Sequence, residues 1–120
     1  MSKTNKSELG KWGETLAAQY VQQRGCTMVD VNWRCIAGEV DLIVRDGDCL
    51  VFVEVRTRRS DRLGTPEDSI TARKLARMIA VAETYIYEQR WTGNWRLDVV
   101  AIRARRGQTP SIEWYKNVSQ

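Results

Sequence analysis

The sequence predicts an α/β domain in which a helix, three strands, a second helix and two further strands follow one another. Three observations carry that expectation. Apolar residues recur at helical spacing over residues 7–24 and again from Ser69 or Thr71 to about Arg90. Residues 38–58, GEVDLIVRDGDCLVFVEVRTR, alternate in two runs about an Asp46-Gly47-Asp48 turn. The later stretch WRLDVVAIRA is rich in β-branched residues and bounded by turn formers, as a buried strand would be. At 120 residues, with 42% hydrophobic and 28% charged side chains, the chain suffices for one core and is too short for two ordinary domains. A single domain over residues 1–120 is expected, with residues 1–7 as a flexible tail.

The first helix places Leu9, Trp12, Leu16, Ala17, Tyr20 and Val21 on one stripe, and Gly25 follows as a stop. Glu14 falls at the border of that stripe, from where a side chain can reach over the packed surface or stay in solvent. Residues 26–36, CTMVDVNWRCI, form the first strand, and the 38–58 stretch forms the next two as a hairpin. Residues 57–70, with Gly64, Pro66, Asp61 and Arg62, carry no periodicity and read as a mobile surface loop. The second helix puts Leu75, Met78, Ile79, Ala82 and Ile86 toward a core. Its first turns hold Arg73, Lys74 and Arg77 against the helix dipole, either as a phosphate site or as a solvated face. Strands over residues 95–104 and 111–118 end the chain.

Composition removes several chemistries. No histidine occurs, so Ser-His-Asp and Cys-His nucleophilic sites and any histidine base are excluded, leaving carboxylates, lysine or a metal. Cys26, Cys35 and Cys49 are odd in number and widely spaced, which spells neither a zinc site nor a disulfide framework. They read as small side chains in a reducing compartment. The formal charge of +4 favours polyanionic partners. No segment approaches the roughly 20 apolar residues of a membrane span, and no signal peptide is recognisable, so a cytoplasmic location is expected.

The hairpin is unusual in its acids. On alternation, Val40, Leu42 and Val44 share one face, while Glu39, Asp41, Ile43 and Arg45 share the other with Leu50, Phe52, Glu54 and Arg56. A turn on Asp46-Gly47 sets Asp41 opposite Phe52 and Glu39 opposite Glu54. A turn on Gly47-Asp48 sets Asp41 opposite Glu54. In either register the acids cluster beside a packed region, where carboxylates raise one another's pKa unless a cation lies between them. That cation is a divalent metal or Arg56. Mg²⁺ is served by one or two carboxylates with water and phosphate, for which Asp41 and Glu54 are suited. The alternative is a salt-bridged sheet face neutralised by Arg45 and Arg56. Asp98 reads as a structural acid paired with Arg34 or Arg96.

Gly38-Glu39-Val40-Asp41-Leu42-Ile43, a short turn, then Phe52-Val53-Glu54-Val55-Arg56-Thr57-Arg58 resembles the YraN-like family of bacterial proteins. Gly10, Gly13-Glu14, Ala17, Asn32-Trp33-Arg34, Lys74 and Arg96-Leu97-Asp98-Val99-Val100 extend the resemblance over about residues 8–115. These proteins are similar to compact members of the PD-(D/E)XK superfamily, related to Holliday junction resolvases. The resemblance implies a restriction-endonuclease-like core, a mixed sheet flanked by helices. It implies Asp41 and Glu54 as metal-binding acids, Glu14 as a third acid, and Mg²⁺ or Mn²⁺ as the cofactor. Arg56 stands where the superfamily has a catalytic lysine; it can stabilise charge in a transition state but cannot serve as a base.

The expected function is a metal-dependent nuclease acting on DNA, branched or flapped. In it Asp41, Glu54, Arg56 and Glu14 serve the reaction, and Arg58, Arg59, Arg73, Lys74 and Arg77 follow the phosphates. A nucleic-acid-binding domain without hydrolysis and a protein-interaction module with an incidental basic surface are the alternatives. A homodimer is expected by analogy with small nucleases.

Overall fold

A computed structural model describes residues 6–59 and 70–119. The elements are α1 (Glu8–Gln23), β1 (Thr27–Cys35), β2 (Gly38–Asp46), β3 (Cys49–Arg58), α2 (Ala72–Gln89), β4 (Trp95–Arg103) and β5 (Ser111–Tyr115). The order is the predicted one. The expected loop begins later than residue 57, because β3 runs on through Arg58. Asp61, Arg62, Gly64 and Pro66 lie outside the described residues.

The strands form one five-stranded sheet in sequential order. β3 and β4 are parallel and every other pair is antiparallel. Parallel neighbours need a long crossover, and α2 supplies it. The sheet is therefore mixed, as predicted.

Both helices begin where a hydroxyl can take an orphan backbone donor. Ser7 Oγ accepts the Gly10 N–H at 3.0 Å, and Thr71 Oγ1 accepts the Lys74 N–H at 3.1 Å. Ser7, expected in a flexible tail over residues 1–7, thus caps α1, and residues 1–5 lie outside the described residues. α2 ends at Arg90, whose φ of 55° turns the chain out of the helix.

The two helices cover opposite faces of the sheet. Ala17 and Val21 of α1 pack on Leu42, Val44, Val51, Val53, Val100 and Ile102. Val81, Ala82 and Tyr85 of α2 pack on Ile43, Leu50, Phe52 and Leu97. Each large apolar side chain so buried stabilises the fold by about 1.5–3 kcal/mol relative to exposure. Leu75, Met78, Ile79 and Ile86 flank the α2 contact rather than forming its centre.

The hairpin takes the second of the two predicted registers. Asp46 pairs with Cys49, leaving Gly47 at φ +62° and Asp48 in a two-residue loop. The ladder runs as far as Leu42↔Val53, one step short of Asp41 and Glu54. One expectation fails here, because Val40 does not share the face of Leu42 and Val44 but joins the α2 core. The alternation breaks at Asp41. Its neighbour across β1 is Asn32, at φ 51°, and regular pairing passes from Val31↔Leu42 to Trp33↔Val40 around that pair.

Candidate metal and nucleic-acid site

Where the β2–β3 ladder ends, the acids gather. Asp41 is buried, and its Oδ2 accepts the Val55 N–H at 2.8 Å. A charged acceptor thereby fixes the carboxylate against β3. Glu54 stands on β3, one residue before Val55, with its Oε2 3.3 Å from Arg56 Nη1. Side chains two apart on a strand share a face, so this pairing follows from local geometry.

Asp41, Glu39 and Glu54 line one cavity of about 250 Å³ together with Lys74 and Arg77 of α2. Glu14 and Arg56 line an adjoining cavity with Arg58. Lys6 stands at the wall of both. Arg59 and Arg73 are exposed and line neither. The predicted cationic set therefore divides, with Lys74, Arg77 and Arg58 close to the acids and Arg59 and Arg73 outside them.

Lys6 is the residue that sequence reasoning missed. Its Nζ lies 2.9 Å from Glu14 Oε2, 3.0 Å from Asp41 Oδ1 and 3.6 Å from Glu39 Oε1. It precedes the first helix and belongs to no periodic run, so no pattern in the sequence marks it. Glu39 Oε2 is buried and has no hydrogen-bond partner among the described residues.

The electrostatics follow from crowding. Burial, reinforced by the Asp41 charge, pushes Glu54 up to about 7 against the opposing pull of Arg56 and Lys74. Burial and the charge of Asp41 also hold Glu14 above the usual carboxylate range, although Lys6 and Asn32 act the other way. Burial works against the Lys6 ammonium, but Glu14 and Asp41 outweigh it and hold that pKa above its ordinary value. Lys74 is lowered by burial and then by Arg56.

The donors present suit a hard divalent cation. All are carboxylate oxygens, and the lysine ammonium among them stands in for the positive charge the group attracts. Among the described residues no three acidic, cysteine or histidine side chains form a ready metal cage. The pattern that fits is therefore two carboxylates, Asp41 and Glu54, with water and phosphate completing the shell.

Asp98 belongs to a different network. Wholly buried on β4, it accepts from Arg96 at 3.0 Å, from Trp114 Nε1 at 2.9 Å and from the Asn117 N–H at 2.9 Å. Of the two predicted partners Arg96 is the one it takes, while Arg34 is exposed. Among the described residues no helix is long and apolar enough to cross a membrane.

Comparison with known proteins gives a consistent answer. Residues 13–102 match the model of a family described as "Uncharacterised protein family UPF0102". A UPF0102 protein of Roseiflexus castenholzii is 47% identical over 112 residues, covering 90% of either chain. A UPF0102 protein of Herpetosiphon aurantiacus is 38% identical over 120 residues, covering 96% of each. One from Desulfitobacterium hafniense is 37% identical over 119 residues, covering 95% of this chain and 98% of its own. With the matched segment running from α1 through β4 and relatives aligned over nearly their whole length, the chain belongs to the UPF0102 family.

Proposed function

We propose that this protein is a metal-dependent nuclease that cuts DNA, branched or flapped, by attack of water on a phosphodiester. The observation that carries the reading is the single cavity in which Asp41, Glu39 and Glu54 face Lys74 and Arg77. Acids that attract a cation and cations that attract phosphate stand there side by side, the combination hydrolysis of a phosphodiester needs. A divalent ion held by Asp41 and Glu54 would supply a water of lowered pKa and charge to offset the phosphoryl oxygens.

The chain's own residues do the rest. Val55 N–H holds the Asp41 carboxylate in place. Lys74 and Arg77 draw the phosphate to the acids, and Arg58 extends the cationic wall along the backbone of the nucleic acid. Arg56, permanently charged, offsets negative charge at the reacting phosphate but moves no proton. The reading places the protein in the cytoplasm, where its three free cysteines stay reduced, and makes DNA its partner. A homodimer would present one such site to each of two strands.

A second reading has a specific observation behind it: Arg56 engages Glu54 and Lys6 engages Asp41, so both acids already have internal cations. On that reading the domain binds nucleic acid without cutting it.

Linear, flapped and four-way DNA, incubated with Mg²⁺, Mn²⁺ or EDTA, test these alternatives. Metal-dependent cutting is expected in wild type, lost in Asp41→Ala and Glu54→Ala, and raised in Arg56→Lys. Cutting that persists in both alanine variants overturns the site. Salt-sensitive binding without cutting, unaffected by Glu54→Ala, selects the second reading.

A further inference from the structure

We infer that Lys6 is a built-in competitor for the cation site: its ammonium occupies the place beside Asp41 that a divalent ion would take, and the ion must displace it. The inference rests on the reading of Asp41 as a cation ligand.

Asp41 has two oxygens, and both are engaged. Oδ2 takes the Val55 N–H at 2.8 Å and Oδ1 takes Lys6 Nζ at 3.0 Å. An ion bound to Oδ1 with Lys6 in this position would put two cations in contact. The two occupants exclude one another.

The ammonium is also an incomplete substitute. An ammonium has three donors, and Lys6 Nζ approaches Glu14 and Asp41 within hydrogen-bond distance while Glu39 Oε1 stays at 3.6 Å. Glu39 Oε2 is left buried without a partner among the described residues. One positive charge thus faces three carboxylates contributed by α1 and β2, and a doubly charged ion beside Asp41 would offset more of that negative charge.

Among the described residues, no backbone hydrogen bond ties Lys6 down. The start of α1 is fixed by Ser7, whose Oγ accepts from Gly10 and whose carbonyl accepts from Lys11 at 3.0 Å. The lysine stem has four torsions and can swing away with the helix intact.

The consequence is a lowered apparent affinity for the ion, because only the fraction of molecules with Lys6 turned away is competent to bind. Titration with Mn²⁺, following the free ion by paramagnetic resonance, measures that affinity without any nucleic acid. Lys6→Met is expected to tighten binding by about tenfold or more, and Lys6→Gln to do likewise, whereas Lys11→Met removes the same charge from exposed α1 surface and leaves affinity within about twofold. In EDTA the melting temperature of Lys6→Met falls below that of wild type, and Mn²⁺ raises it by more than it raises wild type.

Two results overturn the inference and are distinct. If wild type binds Mn²⁺ in a manner abolished by Asp41→Asn and Lys6→Met binds no tighter, the cation site stands and Lys6 is no competitor. If neither wild type nor Lys6→Met binds Mn²⁺, the cation site itself is wrong and the competition goes with it.

Discussion

The Asp41 carboxylate reaches across the mouth of the hairpin and accepts the Val55 N–H at 2.8 Å, so a side chain takes the part that a strand carbonyl plays elsewhere in the ladder. Asp41→Asn and Asp41→Ala both remove the charge, but only the asparagine keeps an oxygen for Val55. A buried donor left without an acceptor costs about 1–3 kcal/mol. Asp41→Asn is therefore expected to be the more stable of the two by about 1 kcal/mol or more. Urea midpoints at constant m-value measure the gap; equal midpoints would show that Val55 finds another acceptor.

Glu54 makes stability depend on pH in the direction opposite to an ordinary ion-paired acid. Its pKa is pushed up to about 7 in the folded protein, above the unfolded value, so the folded state binds its proton more tightly. The resulting stabilisation is fully present below the unfolded carboxylate range and is lost as pH rises through about 7. In EDTA the wild type should lose stability between pH 5 and 7, by at most about 1.4 kcal/mol per pH unit. Glu54→Gln should flatten that slope. A slope unchanged by the substitution would assign the titration elsewhere.

Asp98 and Arg96 form a buried pair in which each depends on the other. Asp98→Ala strips Arg96 of one of its two carboxylates, leaving it Asp46 at 2.9 Å, and takes the acceptor from Trp114 Nε1 and from the Asn117 N–H. Breaking one member of a buried pair costs about 3–5 kcal/mol. Thermal unfolding of Asp98→Ala should show a drop of many degrees or no cooperative transition, with any effect on DNA following that loss.

Gly13 marks a close approach of α1 to the sheet. A Cβ there would collide with Thr57 Oγ1 on β3, with Thr57 Cβ at 3.1 Å and Cγ2 at 3.2 Å. Gly13→Ala should destabilise by about 1–3 kcal/mol despite the better helix propensity of alanine. Thr57→Ala in the same chain removes the oxygen and the methyl, and should recover part of the loss. Purely additive effects in the double-mutant cycle would refute the contact.

The sequence announces some of this and hides the rest for identifiable reasons. Element order follows from two periodicities, and pairs two residues apart on one strand, Glu54 with Arg56 and Arg96 with Asp98, follow from alternation. The hairpin register does not, because Asp46-Gly47 and Gly47-Asp48 are equally good turn formers; the fold chooses the second, pairing Asp46 with Cys49 and keeping Asp46 out of the positive-φ region that a turn on Asp46-Gly47 would need. Val40 is misplaced by alternation because the left-handed turn at Asn32 sits on a neighbouring strand. Lys6 is hidden most completely. Its contacts join the approach to α1 with the first half of β2, and no local pattern encodes a distance of that kind.

β3 is bonded on one side to β2 and on the other to β4, with apolar layers above and below it. Amides so enclosed exchange with solvent only when the whole molecule opens. Glu54 and the Val55 N–H that steadies Asp41 ride on this strand. They lie past the last β2–β3 rung, Leu42↔Val53, held by β4 on one side and by the Asp41 carboxylate on the other, so this end of the strand opens locally more easily than its enclosed middle.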